Sequence, residues 1–274
     1  MFCFISLDAI MKHLLEHLSL VQVTWSRFFF ATLVAILLCG RRLPGLAISQ
    51  TPRLQIVRSV LLMSTTGLFN VALRTTPLAT ATTIMFTSPL LITVLSIPLL
   101  GEKVGPRRWA GVAIGFLGTL IVVRPWQEGL GHLGSGVVFL LVAALLNANY
   151  QIATRKVRTD DPLTSLLYTA TAGAIVTSAI VPWFWSWPDW FSWLLMAGSG
   201  LAGGLGHFCL IKAMSAAPAS VVAPFSYSSL IWATVFGLVI WHDWPDVWTW
   251  AGAALIIGSG LYVFHRERVK HEDG

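Results

Sequence analysis

Asp8, Lys12 and Arg27 are charged side chains inside the first two apolar segments of this 274-residue chain. Charged groups inside a membrane segment are costly to bury and by default indicate a functional site. Asp8 and Lys12 are four residues apart, so on a helix they share a face and can pair. Arg27 should contact Asp8, a backbone carbonyl or an anionic group of a substrate. All three are candidates for substrate binding; a structural ion pair and helix-end anchoring are the alternatives.

Neutral polar side chains cluster at a comparable place in the second half of the chain. Asn147 and Gln151 share a helix face, with Tyr150 between them in the sequence. Amide groups offer donors and acceptors to a zwitterion or a ring edge, and hydrogen bonding between helices is the alternative. His207 and Asp8 are the candidates for carrying a coupling proton, with a buried structural histidine as the alternative for His207.

A possible metal motif lies at the end of the first apolar segment, where His13, Glu16 and His17 match the H-x-x-E-H spacing. No downstream acidic helix supplies a third ligand, so we assign no metal. The chain also lacks a nucleophile elbow, a carboxylate pair and a phosphate-binding glycine loop. We therefore predict neither an enzyme nor a primary pump, and no cofactor. An intramembrane metal enzyme built on these three residues and a non-transporting membrane scaffold stay open as alternatives.

The elements that must position these residues are membrane helices. Hydrophobic residues make up 55% of the chain and charged residues 11%, against about 25% charged in soluble domains, and the mean hydropathy is +0.73. A membrane-spanning helix needs about 20 apolar residues. We predict ten such segments, near residues 1–17, 20–40, 54–73, 78–100, 106–123, 133–155, 162–182, 190–212, 218–241 and 246–265.

The positive charges sort by side of the membrane. Most Lys and Arg residues fall in the connections on the side of the two termini, whereas the other side has mainly Lys12, Arg74 and Arg124. Because positive charge favours the cytoplasmic side, both termini should be cytoplasmic. The net charge of +6 thus reflects topology, and we expect the lipid bilayer rather than nucleic acid as the partner.

The second half of the chain repeats the first at a constant offset. Residues 72–123 align without gaps on residues 213–264, so that Pro77 matches Pro218. Each half holds an odd number of predicted spans, and two such copies must be inverted relative to one another. Inverted repeats are the plan of many secondary transporters, which bind the substrate at the repeat interface.

The predicted domains are a first repeat at 1–124, a second repeat at 133–266 and a charged cytoplasmic tail at 267–274. The first span is short as written, since Met1–Met11 hardly crosses a core about 30 Å thick at 1.5 Å per residue. We expect either a shortened first helix or a start upstream of this one.

The fourth and ninth segments are predicted to line the substrate path. They contain Pro89 and Pro224, and interrupted helices at matching places in two halves indicate a site near the membrane midplane. Phe86 aligns with Tyr227, so their rings could enclose a planar substrate, with a packed, kinked helix as the alternative. The prolines and Glu102 are assigned to gating and packing. The predicted substrate-binding set is Asp8, Lys12, Arg27, Asn70, Phe86, Asn147, Tyr150, Gln151 and Tyr227.

These features together resemble the EamA-type branch of the drug/metabolite transporter superfamily. The similarity rests on the Arg-aromatic start of the second helix, the Gly-Glu-Lys that closes the fourth, and Trp-Ala-Gly in the fifth. In the second half, the similarity rests on Lys-Ala-Met at 212–214 and on Ala-Pro at 223–224. The resemblance implies an all-α protein of ten helices in two inverted five-helix repeats, which carries a small metabolite by alternating access in the bacterial inner membrane.

Within that branch, Asp8 and Lys12 followed by Arg27 are similar to carriers for S-adenosylmethionine and riboflavin, and compatible with amino-acid exporters. The departures are the short first helix and Asp243 where the first half has Glu102. The resemblance does not choose the substrate, the direction or the coupling ion. A homodimer through the last helices is an open alternative.

Overall fold

The structure is a computed structural model that describes residues 1–100, 105–123, 135–157, 159–216 and 228–272. Within those residues it is built from α-helices and contains no β-strand. The helices are α1 (Phe2–Leu14), α2 (Leu20–Cys39), α3 (Pro52–Leu73), α4a (Leu78–Met85), α4b (Thr87–Leu100), α5 (Pro106–Val123), α6 (Ser135–Lys156), α7 (Pro162–Ile180), α8 (Trp190–Ala216), α9 (Ser228–Trp241) and α10 (Val247–Glu272). Short helical turns follow α2 at Gly40–Arg42 and Leu43–Leu46, and α7 at Val181–Phe184.

The helix boundaries follow from local sequence. Ser19 and Asp161 precede α2 and α7, and each side chain accepts a backbone N–H of the first helical turn, which satisfies a group that the helix leaves unpaired. Pro52 and Pro162 stand at the first positions of α3 and α7, where the missing N–H is no loss. Gly40 ends α2 with a φ of 51°, a conformation that favours glycine.

Six helical stretches of the described chain are long and apolar enough to cross a membrane: Leu20–Leu46, Pro52–Leu73, Leu78–Leu95, Ser135–Lys156, Pro162–Phe184 and Trp190–Ala213. Shorter apolar helices are Trp109–Val122, Ser228–Trp241 and Val247–Tyr262. The expected all-helical, polytopic membrane fold is therefore confirmed. The count of ten spans and the cytoplasmic position of the termini stay predictions. With 13 residues, α1 is about 20 Å long, shorter than the hydrocarbon core.

The helices pack in pairs that connect the two halves of the chain. α1 packs on α8 and α3 on α6; α2 packs on α8 and α3 on α7; α1 packs on α9 and α4a on α6. Each set holds two helix pairs, and replacing every helix by its counterpart five places along the chain turns one pair of the set into the other. Two further pairs, α2 with α7 and α5 with α10, map onto themselves.

Close contacts between small residues hold α5 against α10. A Cβ on Gly118 would lie 2.8 Å from the Gly252 carbonyl oxygen, so a larger side chain there would force the helices apart. The outward side of α5 carries exposed Phe116 and Leu117, which a bilayer would cover. A homodimer through the last helices stays a prediction.

Candidate functional site

A close approach of α2 and α8 positions the first two residues of the site. A Cβ on Gly200 would lie 2.1 Å from the Phe30 Cβ, so the backbones meet where no side chain fits between them. Arg27 lies one turn before Phe30 on α2, and His207 lies two turns after Gly200 on α8. The two side chains therefore face one another. The Arg27 Nη2 and His207 Nε2 atoms are 3.3 Å apart.

The contact continues through two further side chains. Tyr150 of α6 lies with its hydroxyl oxygen 3.4 Å from the Nδ1 atom of His207. Arg58 of α3 donates from Nη2 to the same hydroxyl oxygen at 3.1 Å. Arg27, His207, Tyr150 and Arg58 therefore form one connected polar chain, which we call the Arg–His–Tyr–Arg chain. Two of its members come from each half of the sequence.

Arg58 is held by the protein itself. It is completely buried, and its Nε donates to the Thr154 hydroxyl at 2.7 Å. Its Nη1 donates to the Ser165 carbonyl at 2.8 Å, the Thr169 hydroxyl at 2.9 Å and the Gln55 amide oxygen at 3.0 Å. The planar fork of donors suits such a set of fixed acceptors. Arg58 therefore joins α3 to α6 and α7 with few donors to spare.

Arg27 has fewer partners. Within the described chain its only hydrogen-bond partner is His207, and its guanidinium lies 5.6 Å from the centre of the Phe28 ring. The side chain is 8% exposed. The charge of Asp8 acts on it, but no ion pair within 4.0 Å joins the two among the described residues. Arg27 is thus a buried cation with donors left for another group.

A small cavity lies beside this polar chain. Its walls come from α2, α3, α6, α7 and α8, and its volume is about 20 Å³. That volume holds one or two water molecules and no metabolite. Arg27, Arg58, Tyr150 and His207 line it together with apolar side chains such as Leu62 and Leu166. The arrangement is a closed space with positive charge on its wall.

The ion pair that the spacing of Asp8 and Lys12 allows is not formed in the structure. Lys12 donates from Nζ to the Asp243 carboxylate at 3.1 Å and lies 4.5 Å above the centre of the Trp241 ring. The physical reason is that α1 packs on α9, so the connection that follows α9 lies next to Lys12. Lys12 therefore links the end of α1 to that connection and lies apart from the cavity.

Several other predicted binding residues lie in contacts between helices. Asn147 donates to the Ser88 hydroxyl at 3.2 Å and joins α6 to α4b. Asn70 donates to the Thr24 hydroxyl at 3.1 Å and joins α3 to α2. Phe86 is 5% exposed and packs in an apolar cluster that includes α9 and α10 side chains. Of the predicted binding set, Arg27 and Tyr150 are the members that the structure places at the cavity.

The remaining candidates divide into described and undescribed positions. Gln151 is partly buried on α6 beside Tyr150. Pro89 lies in the first turn of α4b, and α4a ends at Met85, four residues earlier. A proline cannot donate to that carbonyl and its ring clashes with it, which gives a reason for the break. Tyr227, Pro224 and Glu102 lie outside the described residues.

Side-chain hydrogen bonds also join connections at each end of α2. At the end where α2 begins, the Gln22 amide group exchanges three hydrogen bonds with Ser186, and Ser19 donates to the Phe184 carbonyl. We call this contact the Gln22 tie. It joins the α1–α2 connection to the α7–α8 connection, and the Lys12–Asp243 pair lies at the same end.

At the opposite end of α2 the connections are joined through the Asp160 carboxylate. It accepts from the Ser49 hydroxyl, from the Gln50 backbone N–H at 3.0 Å and from the Gln55 amide at 2.9 Å. Burial acts to raise the pKa of Asp160, but these hydrogen bonds outweigh it and lower the pKa from its ordinary value. We call this contact the Asp160 tie. It joins the α6–α7 connection to the α2–α3 connection.

The motif at His13, Glu16 and His17 has no metal-site geometry. Glu16 accepts from the Trp241 indole N–H at 2.6 Å, and His13 lies 3.4 Å from the other carboxylate oxygen. Among the residues that the structure describes, no three His, Cys, Asp or Glu side chains converge as ligands. Glu16 instead contacts Trp241 at the end of α9.

Sequence reasoning missed Arg58 and Asp160. Arg58, like Arg27, is an arginine inside an apolar segment, so the same signal marks both. Asp160 has no such signal, because its connection of polar residues is typical of any exposed loop. Its burial depends on a contact across 111 positions with Ser49, which only the fold reveals.

Comparisons with known proteins agree on one family. The model of the EamA-like transporter family matches residues 1–124 and 134–264. The chain is 27% identical over 270 residues to an S-adenosylmethionine uptake transporter of Rickettsia felis, covering 97% of this chain and 91% of that protein. It is 30% identical over 189 residues to a riboflavin transporter of Vibrio cholerae, covering 68% and 62%.

Two further proteins, an exporter and one of known structure, are similar to most of this chain. A pseudopaline exporter of Pseudomonas aeruginosa is 26% identical over 263 residues, covering 93% of this chain and 90% of that one. A solved crystal structure has the same fold with a TM-score of 0.70 at 19% identity, covering 96% and 94% of the two chains.

Proposed function

Because this chain belongs to the EamA-like transporter family, we propose that it carries a small organic metabolite across the membrane by alternating access. Its relatives are named as metabolite transporters rather than enzymes, so it is a multi-pass transporter of the bacterial inner membrane. The finer proposal is that residues 1–124 and 133–266 act as inverted repeats and that the substrate binds between them.

The observation that supports this site is the Arg–His–Tyr–Arg chain around the closed cavity. Arg27 and Arg58 come from the first half, and Tyr150 and His207 from the second. A site shared by two halves changes shape when they move relative to one another, as alternating access requires. The cavity volume of about 20 Å³ is too small for a metabolite, so the helices around it must move apart for a substrate to bind there.

The charges of the cavity favour a substrate with a carboxylate. Arg58 is occupied by protein acceptors, whereas Arg27 retains free donors, so Arg27 is the anchor we assign to an anionic group. A charge-assisted hydrogen bond between guanidinium and carboxylate is strong and directional. S-adenosylmethionine has a carboxylate and riboflavin has none, so the site favours the former among the compounds that the relatives' names give.

The two ties at opposite ends of α2 are the proposed gates. The α1–α2 connection of the first repeat corresponds to the α6–α7 connection of the second. In the same way, the α2–α3 connection corresponds to the α7–α8 connection. The Gln22 tie and the Asp160 tie therefore occupy equivalent places on opposite sides. Opening to one side requires one tie to break while the other stays formed, and both ties are formed in this structure.

The experiment that tests this function is counterflow in proteoliposomes. Vesicles loaded with unlabelled S-adenosylmethionine should accumulate the radiolabelled compound transiently, whichever direction the protein serves. Parallel assays use riboflavin. The variant Arg27→Gln should lower the apparent affinity by roughly 10- to 100-fold, because a charged hydrogen bond contributes about 1.5–3 kcal/mol.

The matched control is Arg41→Gln, since Arg41 is an exposed arginine in the turn after α2. It should behave as the parent protein does. If neither compound shows counterflow with correctly folded protein, the proposed substrate is wrong. If Arg27→Gln transports with parental affinity, the cavity is not the binding site.

A further inference from the structure

The hydrogen-bond partners of His207 define its protonation state. A guanidinium can only donate hydrogen bonds, so Nε2 of His207 accepts from Arg27 in their contact. A neutral imidazole carries one N–H, which must then be on Nδ1. That N–H donates to the Tyr150 hydroxyl oxygen, whose second lone pair accepts from Arg58. In this arrangement His207 is therefore neutral, with its proton on Nδ1.

Binding of a second proton to His207 is incompatible with this arrangement. The proton would attach to the Nε2 lone pair and make a second N–H, which would point at an N–H of Arg27. Two donors cannot share a hydrogen bond, so the Arg27–His207 contact must separate. The state of charge of His207 thus decides whether Arg27 is held or released.

The titratable groups around the ring come from α1, α2, α3 and α6, and α7 contributes the uncharged Leu166, Thr169 and Ala170 to the same cavity. Arg27 on α2 and Arg58 on α3 are cations, and the charges of both act on the ring. Tyr150 on α6 presents its hydroxyl group to the ring, and the carboxyl group of Asp8 on α1 acts on Arg27. The Phe4 ring of α1 packs edge-on against the imidazole, 4.9 Å between centroids. Because Asp8 is the single carboxyl group of the described chain that stands against the two guanidinium groups of Arg27 and Arg58, a third positive charge here needs a further anion.

We propose that His207 is the proton-binding site that couples transport to the proton gradient, with the substrate carboxylate as the anion that allows the proton to bind. This inference rests on the proposed function. The carboxylate enters between Arg27 and His207 and accepts one hydrogen bond from the guanidinium and one from the new Nε2–H. Substrate and proton therefore bind together, one of each.

The same geometry explains how a leak is avoided. Without substrate, Arg27 occupies the Nε2 lone pair and two guanidinium groups repel an added proton. When the carboxylate leaves to either side, the imidazolium loses its counter-ion, and the proton departs from Nε2. Arg27 then returns to His207, and the empty carrier crosses back without a proton.

The test uses proteoliposomes with the pH indicator pyranine trapped inside and an inward gradient of S-adenosylmethionine. Parent protein should acidify the interior as the labelled substrate enters, and its affinity should rise as the pH falls, by at most about tenfold per pH unit for one linked proton. Competition adds a second measurement. S-adenosylhomocysteine has the carboxylate and should inhibit more strongly at low pH, whereas 5′-methylthioadenosine lacks it and should show no such dependence.

The variant His207→Gln retains an acceptor for Arg27 and a donor for Tyr150 but cannot bind the proton. Its pH dependence and its acidification signal should disappear. His17→Gln is the control, because His17 is exposed and outside the cavity, and it should keep the parental profile. Should His207→Gln prove inactive, the competition experiment is repeated on Asp8→Asn: a retained pH dependence supports His207, and its loss assigns the proton to Asp8 and overturns the proposal.

The outcomes separate the two proposals. Counterflow without acidification, and with pH-independent affinity for both competitors, overturns the coupling role of His207 and leaves the carrier intact. A pH dependence that persists in His207→Gln assigns the proton to another group and equally overturns it. Absence of any counterflow removes the proposed substrate and this inference together.

Discussion

Lys12 and Asp243, 231 positions apart in the chain, form an ion pair with 3.1 Å between Nζ and Oδ2. The pair joins the first helix to the connection between α9 and α10, at the end of the bundle that also has the Gln22 tie. Because α1 belongs to one half and Asp243 to the other, any opening at this end that separates the halves must stretch the pair.

The first prediction concerns charge exchange at this pair. Lys12→Asp places two carboxylates together and should lower the unfolding temperature in detergent. The double variant Lys12→Asp with Asp243→Lys should recover most of that loss. The total effect is modest, about 1 kcal/mol or less, because the Asp243 side chain is 37% exposed and solvent screens the pair.

A double-mutant cycle on unfolding temperatures measures the coupling. If the double variant unfolds at the same temperature as the single variant, the pair contributes nothing to stability. It would then not be a contact that holds this end together.

The second prediction concerns the pH dependence of the Asp160 tie. Asp160→Asn replaces a carboxylate that accepts at least three hydrogen bonds, and should destabilise the protein by roughly 2–3 kcal/mol at neutral pH. The pKa of Asp160 is lowered in the folded protein. Its contribution is therefore complete above the unfolded-state pKa, near 4, and is lost as the pH falls through the lower folded-state value.

Unfolding temperatures of parent and Asp160→Asn should therefore differ at pH 7, begin to converge as the pH falls below about 4, and meet below the lowered folded-state pKa of Asp160. Asp161→Asn is the control, since Asp161 caps α7 by accepting the Leu163 N–H and asparagine caps a helix about as well. A stability difference that stays constant with pH would mean that the carboxylate charge is not what the tie requires.

Sequence reasoning located the site only in part, and Arg27 and Lys12 show why. Both were recognised as charges in apolar segments, which is a property of the chain alone. Their partners, His207 and Asp243, are 180 and 231 positions away and follow from which helices pack together. Local spacing instead indicated that Asp8 and Lys12 can pair, because side chains four residues apart lie on one face of a helix. A sequence shows such short-range neighbours and not the long-range ones.

The fold was more predictable than the site. The apolar segments and the repeat offset follow from residue types that each helix must have to lie in a bilayer. The cavity, in contrast, depends on how closely backbones approach. Gly200 looks like any packing glycine in the sequence, and only its contact with Phe30 shows that it sets the distance between Arg27 and His207.

The third prediction separates the two arginines by conservative substitution. Arg58→Lys removes a planar fork that reaches acceptors on α6 and α7, and a single ammonium cannot replace it. This variant should lose several kcal/mol of stability, of the order of 3. Arg27→Lys loses one long hydrogen bond, so its unfolding temperature should fall much less.

Unfolding in detergent and counterflow of S-adenosylmethionine are measured side by side. We expect a stability defect in Arg58→Lys and an affinity defect in Arg27→Lys. The reverse pattern would contradict the assignment of Arg58 to structure and of Arg27 to the substrate.

The fourth prediction tests whether the close approach of α2 and α8 builds the site. In Gly200→Ala the new Cβ would lie 2.1 Å from the Phe30 Cβ and 2.6 Å from its carbonyl carbon, and backbone cannot yield as a flexible side chain can. The helices must separate, which moves His207 from Arg27, so both stability and counterflow should drop.

Gly67→Ala is the control: nothing lies within 4 Å of its Cβ, and alanine in a helix should stabilise by up to about 1 kcal/mol. Equal behaviour of the two variants would show that the site tolerates a wider separation and does not depend on this contact.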